Sequence, residues 1–242
     1  MTEEGEWRRA KIIEKEEDYF EFIRNIRNTL SDNSITDISS SYLSEPRGLY
    51  KNQSRYVIKP RSTKEVSECL KLATKYKIGV VPWSGGTGLV GGQIAPDKYS
   101  VTLSLERMNK IKNFSSINQS IEVEAGVILE TIHEFVDKRN FLYPLSMASK
   151  GTCCIGGNLA TNAGGIGVLK YGNARDLCLG LEVVLADGSI INDIKTLKKD
   201  NTGYDLKNLF IGSEGSLGII TRAVLRLYPT PKNATILFCG VG

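Results

Sequence analysis

Two glycine-rich stretches hold the residues with which this chain could do chemistry. The longer, Ser149-Lys-Gly-Thr-Cys-Cys-Ile-Gly-Gly-Asn-Leu-Ala-Thr-Asn-Ala-Gly-Gly-Ile-Gly167, packs six glycines, two threonines and two asparagines into nineteen residues. Glycine costs about 1 kcal/mol relative to alanine inside a helix. That composition argues against an amphipathic helix and for a chain that turns repeatedly, offering bare backbone N–H groups to a ligand. The shorter stretch, Ser84-Gly-Gly-Thr-Gly-Leu-Val-Gly-Gly92, lies earlier in the chain. Two such loops fit one long, polar, phosphate-bearing ligand held between two parts of the chain.

The shorter loop contains G-x-G-x-x-G at Gly86-Thr-Gly-Leu-Val-Gly91, and Glu106 sits where a ribose-binding acid would stand. A dinucleotide fingerprint also needs a helix opening at the loop, and Gly92-Gln-Ile-Ala-Pro96 leaves no room for one. No G-K-[ST] occurs, so a P-loop is excluded. What survives is a strand–loop–strand cradle. It has no lysine, so charge neutralisation rests on backbone dipoles and the hydroxyls of Ser84 and Thr87. In the longer stretch, Gly156-Gly157 and Gly164-Gly165 permit close approach to a flat ring or a diphosphate. Thr152, Asn158, Thr161 and Asn162 offer hydrogen bonds of both polarities, the mixture an isoalloxazine edge requires. Glycines serving only as contacts between lobes are the competing reading. On the ligand reading, a β-branched residue at Gly157 or Gly164 abolishes retention of the ring.

Apolar periodicity supplies the elements that position these loops. Ile12, Ile13, Phe20, Ile23, Ile26 and Leu30 predict a helix over 11–30, followed by a polar linker around 31–44. A short strand at Tyr56-Val-Ile-Lys precedes a helix capped by Ser62 or Thr63 and running to about Tyr76. Ile78-Gly-Val-Val-Pro-Trp is a buried strand leading into the shorter loop. Strands follow at 101–105 and 121–125, with 113–120 read as a turn, then a helix at 127–138. Beyond the longer stretch, strands at 181–186 and 190–194 are joined by Asp187-Gly188, a hairpin signal. A short helix near 206–210 and a strand over 217–228 complete an α+β pattern in two lobes.

A length of 242 residues, 41% hydrophobic and 24% charged, is ordinary for a globular chain. The net charge of +4 has no nucleic-acid footprint, and Lys195-Thr-Leu-Lys-Lys199 reads as a solvated turn. The five cysteines form no C-x-x-C pair, which fits reduced thiols. His133 is the single histidine, so no histidine-rich metal site can be built and no metal is expected. The N-terminus is acidic, with neither a secretory nor a transit pattern, and no run is long enough to span a membrane. A cytoplasmic location is the expectation.

Taken in order, Val80-Val-Pro-Trp-Ser-Gly-Gly-Thr-Gly-Leu-Val-Gly-Gly92, Tyr143-Pro-Leu, Lys150-Gly-Thr-Cys-Cys-Ile-Gly-Gly-Asn-Leu-Ala-Thr-Asn-Ala-Gly-Gly165, Gly180-Leu-Glu-Val-Val-Leu-Ala-Asp-Gly188 and Asp200-Asn-Thr-Gly-Tyr-Asp-Leu-Lys-Asn-Leu-Phe-Ile-Gly-Ser-Glu-Gly-Ser-Leu-Gly-Ile-Ile-Thr221 resemble a known family. It is the FAD-binding domain of the vanillyl-alcohol oxidase type (PCMH-type). Within it the likeness is greatest to D-2-hydroxyglutarate and D-lactate dehydrogenases, with glycolate oxidase FAD subunits next. The resemblance covers about residues 45–232.

Residues 1–44 read as an N-terminal helical arm and linker, and the resemblance implies an FAD-binding domain over 45–232, with lobes of roughly 45–125 and 126–232 and FAD between them. Residues 233–242 would begin a C-terminal substrate or cap domain that the chain does not contain. By position, Ser84, Gly85, Gly86, Thr87, Gly88 and Leu89 would cradle the pyrophosphate. Pro144, Leu145, Gly151, Thr152, Gly156, Gly157, Thr161, Asn162 and Ala163 would line the ring and ribityl chain. Glu214, Gly218, Ile219 and Ile220 would close over the adenosine side. Trp83-Ser84 departs from the family's usual polar residue and glycine. His133, in mid-helix, reads as a packing residue, so FAD is expected to be non-covalent.

The activity implied is oxidation of a D-2-hydroxyacid to the 2-oxoacid, by hydride transfer to flavin N5. Electrons would pass on to a quinone, a cytochrome or an electron-transfer flavoprotein, and no catalytic residue is assigned. The alternative is a truncated or split-chain flavin-binding module without turnover, needing a separate chain to supply the cap. A reductase of a nucleotide sugar is the weaker third reading, because Asn201-Thr-Gly-Tyr-Asp205 matches the hydroxyacid branch better.

Overall fold

The computed structural model describes residues 3–233 and 235–240, with side chains from residue 15 onward. Helix α1 (Glu3–Thr29) buries Tyr19, Phe22, Ile23 and Ile26, with Leu30 just beyond it, at helical spacing. Phe20, expected on that face, is 47% exposed, and the side chains of Ile12 and Ile13 lie outside the described residues. Strand β1 (Ile35–Asp37) arises within the polar stretch read as linker. It pairs antiparallel with β2 (Tyr56–Ile58).

Helix α2 (Thr63–Lys75) starts where Ser62 accepts the Glu65 N–H at 3.2 Å, and it buries Val66, Cys69, Leu70 and Ala73. Strands β2 and β3 (Val80–Trp83) both run parallel to the central β4 (Val101–Ser104). Parallel neighbours need a long crossover. Between β3 and β4 the shorter glycine loop and the irregular chain after it make that crossover in place of a helix.

The second sheet is antiparallel, in the order β5 (Ile111–Ser115), β6 (Ser120–Glu124), β10 (Ile219–Arg226), β8 (Cys178–Val184), β9 (Ile190–Asp193). Strand β5 replaces part of the turn expected over 113–120. A register shift between Ile111 and Asn113 breaks the alternation by which an edge strand is recognised. Helix α3 (Leu129–Asp137), the short β7 (Phe141–Leu142) and its partner β11 (Tyr228–Pro229) flank this sheet. The Asp187-Gly188 turn joins β8 to β9 as expected.

Each sheet anchors its own core. One gathers Tyr19, Phe22, Ile58, Val66, Leu103 and Met108, and the other Ile121, Leu129, Ile132, Tyr143, Leu181 and Leu225. Ala125, Val184 and Ile219 pack into the first core from the second sheet and its flank. Helix α2 also docks on β8 and its hairpin. Ser67 Oγ donates to Gly188 O and Thr74 Oγ1 to Ala186 O, each at 2.5 Å. Thr63 Oγ1 donates to Glu182, whose carboxylate also receives Thr221 and Arg222. The architecture is α+β, and it sets the two glycine stretches face to face where the cores meet.

Candidate cofactor-binding site

The longer glycine stretch does form a helix, contrary to the expectation from composition. Helix α4 (Ile155–Ala160) buries Ile155, Gly156, Asn158 and Leu159. A Cβ on Gly156 would sit 2.7 Å from the Ala125 side chain, and one on Gly157 would sit 2.8 Å from the Ser84 Oγ and Cβ. The intrinsic cost of glycine is offset because only glycine lets this helix lie directly on the neighbouring chain. A second short helix, α5 (Val168–Tyr171), follows.

The two glycine loops touch. Ser84 Oγ accepts the Gly157 N–H at 3.2 Å and donates to Cys154 O at 3.5 Å. A Cβ on Gly85 would lie 2.2 Å from Thr152 O. Trp83, the departure from the family pattern, is buried against Tyr42 at 5.1 Å between ring centroids, and its ring fills the space beside Gly86. Gln93, itself on the cleft wall, donates to Gly88 O at 2.8 Å and braces the loop. The chain before β10 is stitched to the end of α4 by Gly212 N to Leu159 O at 3.1 Å and Glu214 N to Ala160 O at 2.9 Å.

These contacts enclose a cleft of about 440 Å³. Its walls include Ser84, Gly85, Gly86, Thr87, Gly88, Leu89, Gly156, Gly157, Thr161, Ala163, Glu214, Gly218, Ile219 and Ile220, fourteen of the nineteen cofactor-binding residues expected from sequence. Thr152 instead faces a second cavity of about 830 Å³. That cavity lies across Trp83–Gly86 and Cys154, with Tyr42, Glu45, Glu106 and Asn109 among its walls.

Pro144, Leu145, Gly151 and Asn162 line neither cavity. Leu145 is core, and its carbonyl accepts His133 Nε2–H at 2.9 Å. Asn162 Oδ1 accepts the Arg175 N–H at 3.1 Å, while the Arg175 guanidinium reaches Asn208 and Ile211 carbonyls. Arg175 thereby ties the segment after α4 to the chain that leads into β10, a role that no local pattern announces.

The cleft wall also includes Met147, Ser149, Cys153 and Asn158. Asn158 is buried, its Nδ2 lies 3.6 Å from Met147 Sδ, and its Oδ1 has no hydrogen-bond partner within the protein. A buried acceptor left open at a ligand cleft suits a ligand that brings N–H or O–H groups. No lysine, arginine or histidine lines the cleft among the described residues, so an anion there would meet backbone N–H groups and hydroxyls. Burial pushes the Cys154 thiol up to about 11 and holds the His133 imidazole below its ordinary value.

Residues 54–193, more than half of the chain, match the model of an FAD-binding domain family. A probable mitochondrial D-2-hydroxyglutarate dehydrogenase of Oryza sativa subsp. indica is 47% identical over 195 residues, covering 80% of this chain and 35% of its own length. A putative mitochondrial D-lactate dehydrogenase of Schizosaccharomyces pombe is 43% identical over 192 residues, covering 79% and 36%. The chain thus spans about a third of the length of these relatives. Among solved structures, an alkyldihydroxyacetonephosphate synthase superposes with a TM-score of 0.78 at 24% identity, over 88% of this chain and 41% of that one, which shows the shared fold.

The cytoplasmic expectation is overturned by the mitochondrial names of these relatives. Location is set by addressing signals, and a folded cofactor domain carries no physical record of them. The family match, the superposition and the two apposed glycine loops agree: this chain belongs to the PCMH-type FAD-binding domain family, and its cofactor is FAD.

Proposed function

We propose that this chain is the FAD-holding part of a D-2-hydroxyacid oxidoreductase of the D-2-hydroxyglutarate or D-lactate class. The observation that carries the reading is the cleft between the two loops, walled by bare backbone at Gly85, Gly86, Gly156 and Gly157. FAD held there would supply the redox chemistry, as acceptor of a hydride from C2 of the hydroxyacid. The protein's share is placement. Loop 84–89 offers N–H groups and the Thr87 hydroxyl to the pyrophosphate, Asn158 and Thr161 offer polar atoms beside the ring and ribityl chain, and 214–220 closes the adenosine end.

The same residues favour non-covalent retention. Burial pushes the Cys154 thiol up to about 11, away from its nucleophilic thiolate form, and His133 gives its Nε2–H to a backbone carbonyl away from the cleft. Among the described residues, Glu214 is the only carboxylate on the cleft. No histidine stands there to take a substrate proton, which favours a second reading: a flavin-binding module whose turnover needs groups from outside residues 1–242.

Fluorescence titration of the cofactor-free chain with FAD tests the binding claim, and release of all flavin on denaturation tests its non-covalent form. Absence of saturable binding sinks the first, and flavin left on the denatured chain sinks the second. Dye reduction by the FAD-loaded chain with D-2-hydroxyglutarate or D-lactate separates an enzyme from a module.

A further inference from the structure

The glycine loop over 84–92 is held from outside by a segment that no motif marks. Residues 43–51 form a strap closed by an antiparallel bridge between Ser44 and Lys51, and by Asn52 N donating to Leu43 O at 2.8 Å. The strap turns around the carboxylate of Glu45, whose side chain is fully buried. Glu45 accepts the backbone N–H of Arg47 at 2.7 Å and of Leu49 at 2.6 Å. The turn sends the Arg47 guanidinium onto Leu89 O, at the tip of the glycine loop. Two residues on, the Tyr50 ring backs Gly91, where a Cβ would meet it at 2.9 Å. Leu89, Val90 and Gly92 line the cleft, while neither Arg47 nor Tyr50 does.

A loop so rich in glycine has a large conformational entropy to lose before its N–H groups converge on one anion. Strands β3 and β4 restrain the crossover at its two ends but not the tip of the loop. A charge-assisted hydrogen bond to the tip carbonyl restrains it where the strands cannot. We propose that the 43–51 strap is a third element of the cofactor clamp, in which Arg47 is a positioning residue that tethers Leu89 and pre-organises the glycine loop for the FAD pyrophosphate. The proposal rests on the FAD reading for its ligand, but not for the tether itself.

Hydrogen exchange on the cofactor-free chain reads the tether directly. In Arg47→Ala, amides within 85–92 exchange faster than in wild type while those of β4 and β10 do not. FAD titration reads the consequence: the Kd rises about tenfold, the scale of one hydrogen bond from a charged group. Tyr50→Ala shifts both readouts in the same direction. Unchanged exchange across 85–92 in Arg47→Ala overturns the tether. Faster exchange with a wild-type Kd overturns its role in the clamp. Acceleration throughout the protein would mean that the strap only stabilises the fold, and this too overturns the proposal. If wild type itself fails to bind FAD, the cofactor reading falls while the exchange result stands.

Discussion

The Ser84 hydroxyl lies 3.2 Å from the backbone N–H of Gly157, and this contact joins the two glycine loops across the meeting of two cores. Ser84 reaches the first turn of α4 from another part of the chain, supplying the oxygen that a local N-cap residue would otherwise provide. Helix α4 has no side-chain cap of its own, since Cys154 at its N-cap makes no such bond.

Gly157 and Gly164 should therefore respond differently to the same substitution. A Cβ at 157 meets Ser84 at 2.8 Å, whereas one at 164 meets only the tip of the Val168 side chain at 3.1 Å. Gly157→Val separates the loops and is expected to remove FAD retention, while Gly164→Val is expected to lower occupancy modestly. The ratio of flavin to protein absorbance after purification reads both. Equal retention by the two variants would contradict this placement.

Glu182 ties three elements together, accepting Thr63 from α2 and Thr221 and Arg222 from β10. Arg222 also donates to Glu122 at 2.7 Å on β6. Removing the carboxylate leaves a partly buried guanidinium with one partner. Glu182→Ala is thus expected to cost about 3 kcal/mol, measured as a lower urea midpoint. Glu182→Gln should cost less, because it keeps acceptors for Thr63 and Thr221.

The same group gives stability a pH dependence. Burial pushes the Glu182 carboxyl up, but the hydrogen bonds from Arg222, Thr63 and Thr221 outweigh it and hold the group below the ordinary glutamate value. A carboxyl depressed in the folded state contributes stability that is full above its unfolded pKa of about 4.3 and is lost as pH falls through the folded value. The thermal midpoint of wild type should fall below about pH 4, and Glu182→Gln should fall less steeply there. Parallel profiles would remove Glu182 from the account.

Thiol accessibility should report the fold. Cys69, Cys153, Cys154 and Cys178 are buried and Cys239 is exposed. Burial raises Cys69 and Cys178 to about 12 and Cys154 to about 11. A disulfide reagent at pH 8 is expected to titrate one thiol quickly in the native chain and the other four only on unfolding. Rapid reaction of a second thiol, mapped to Cys154, would show the cleft to be more open than described.

Local patterns were legible where local physics decides. Ser62 and Glu65 mark the start of α2, Asp187-Gly188 marks the hairpin, and the failure of G-x-G-x-x-G as a Rossmann fingerprint could be read from Pro96. The bulge in β5 and the exposure of Phe20 were not legible, because each depends on what packs opposite.

The cleft shows the same division. Its glycines, hydroxyls and closing Glu214 to Ile220 segment are recognisable by type and order, since backbone approach demands those residues wherever they fall. The core packing of Leu145, the contacts of Asn162 and Arg175 and the 43–51 strap could not be read from sequence. A leucine turns to the core, an asparagine receives a backbone N–H, and two arginines reach carbonyls more than thirty positions away. Residue types by themselves pointed to bare backbone open to a long, polar, phosphate-bearing ligand, and the family resemblance made that ligand FAD. Only the tertiary structure decided which side chains face the cleft and which hold its loops in place, because side-chain direction is set by packing between segments distant in the chain.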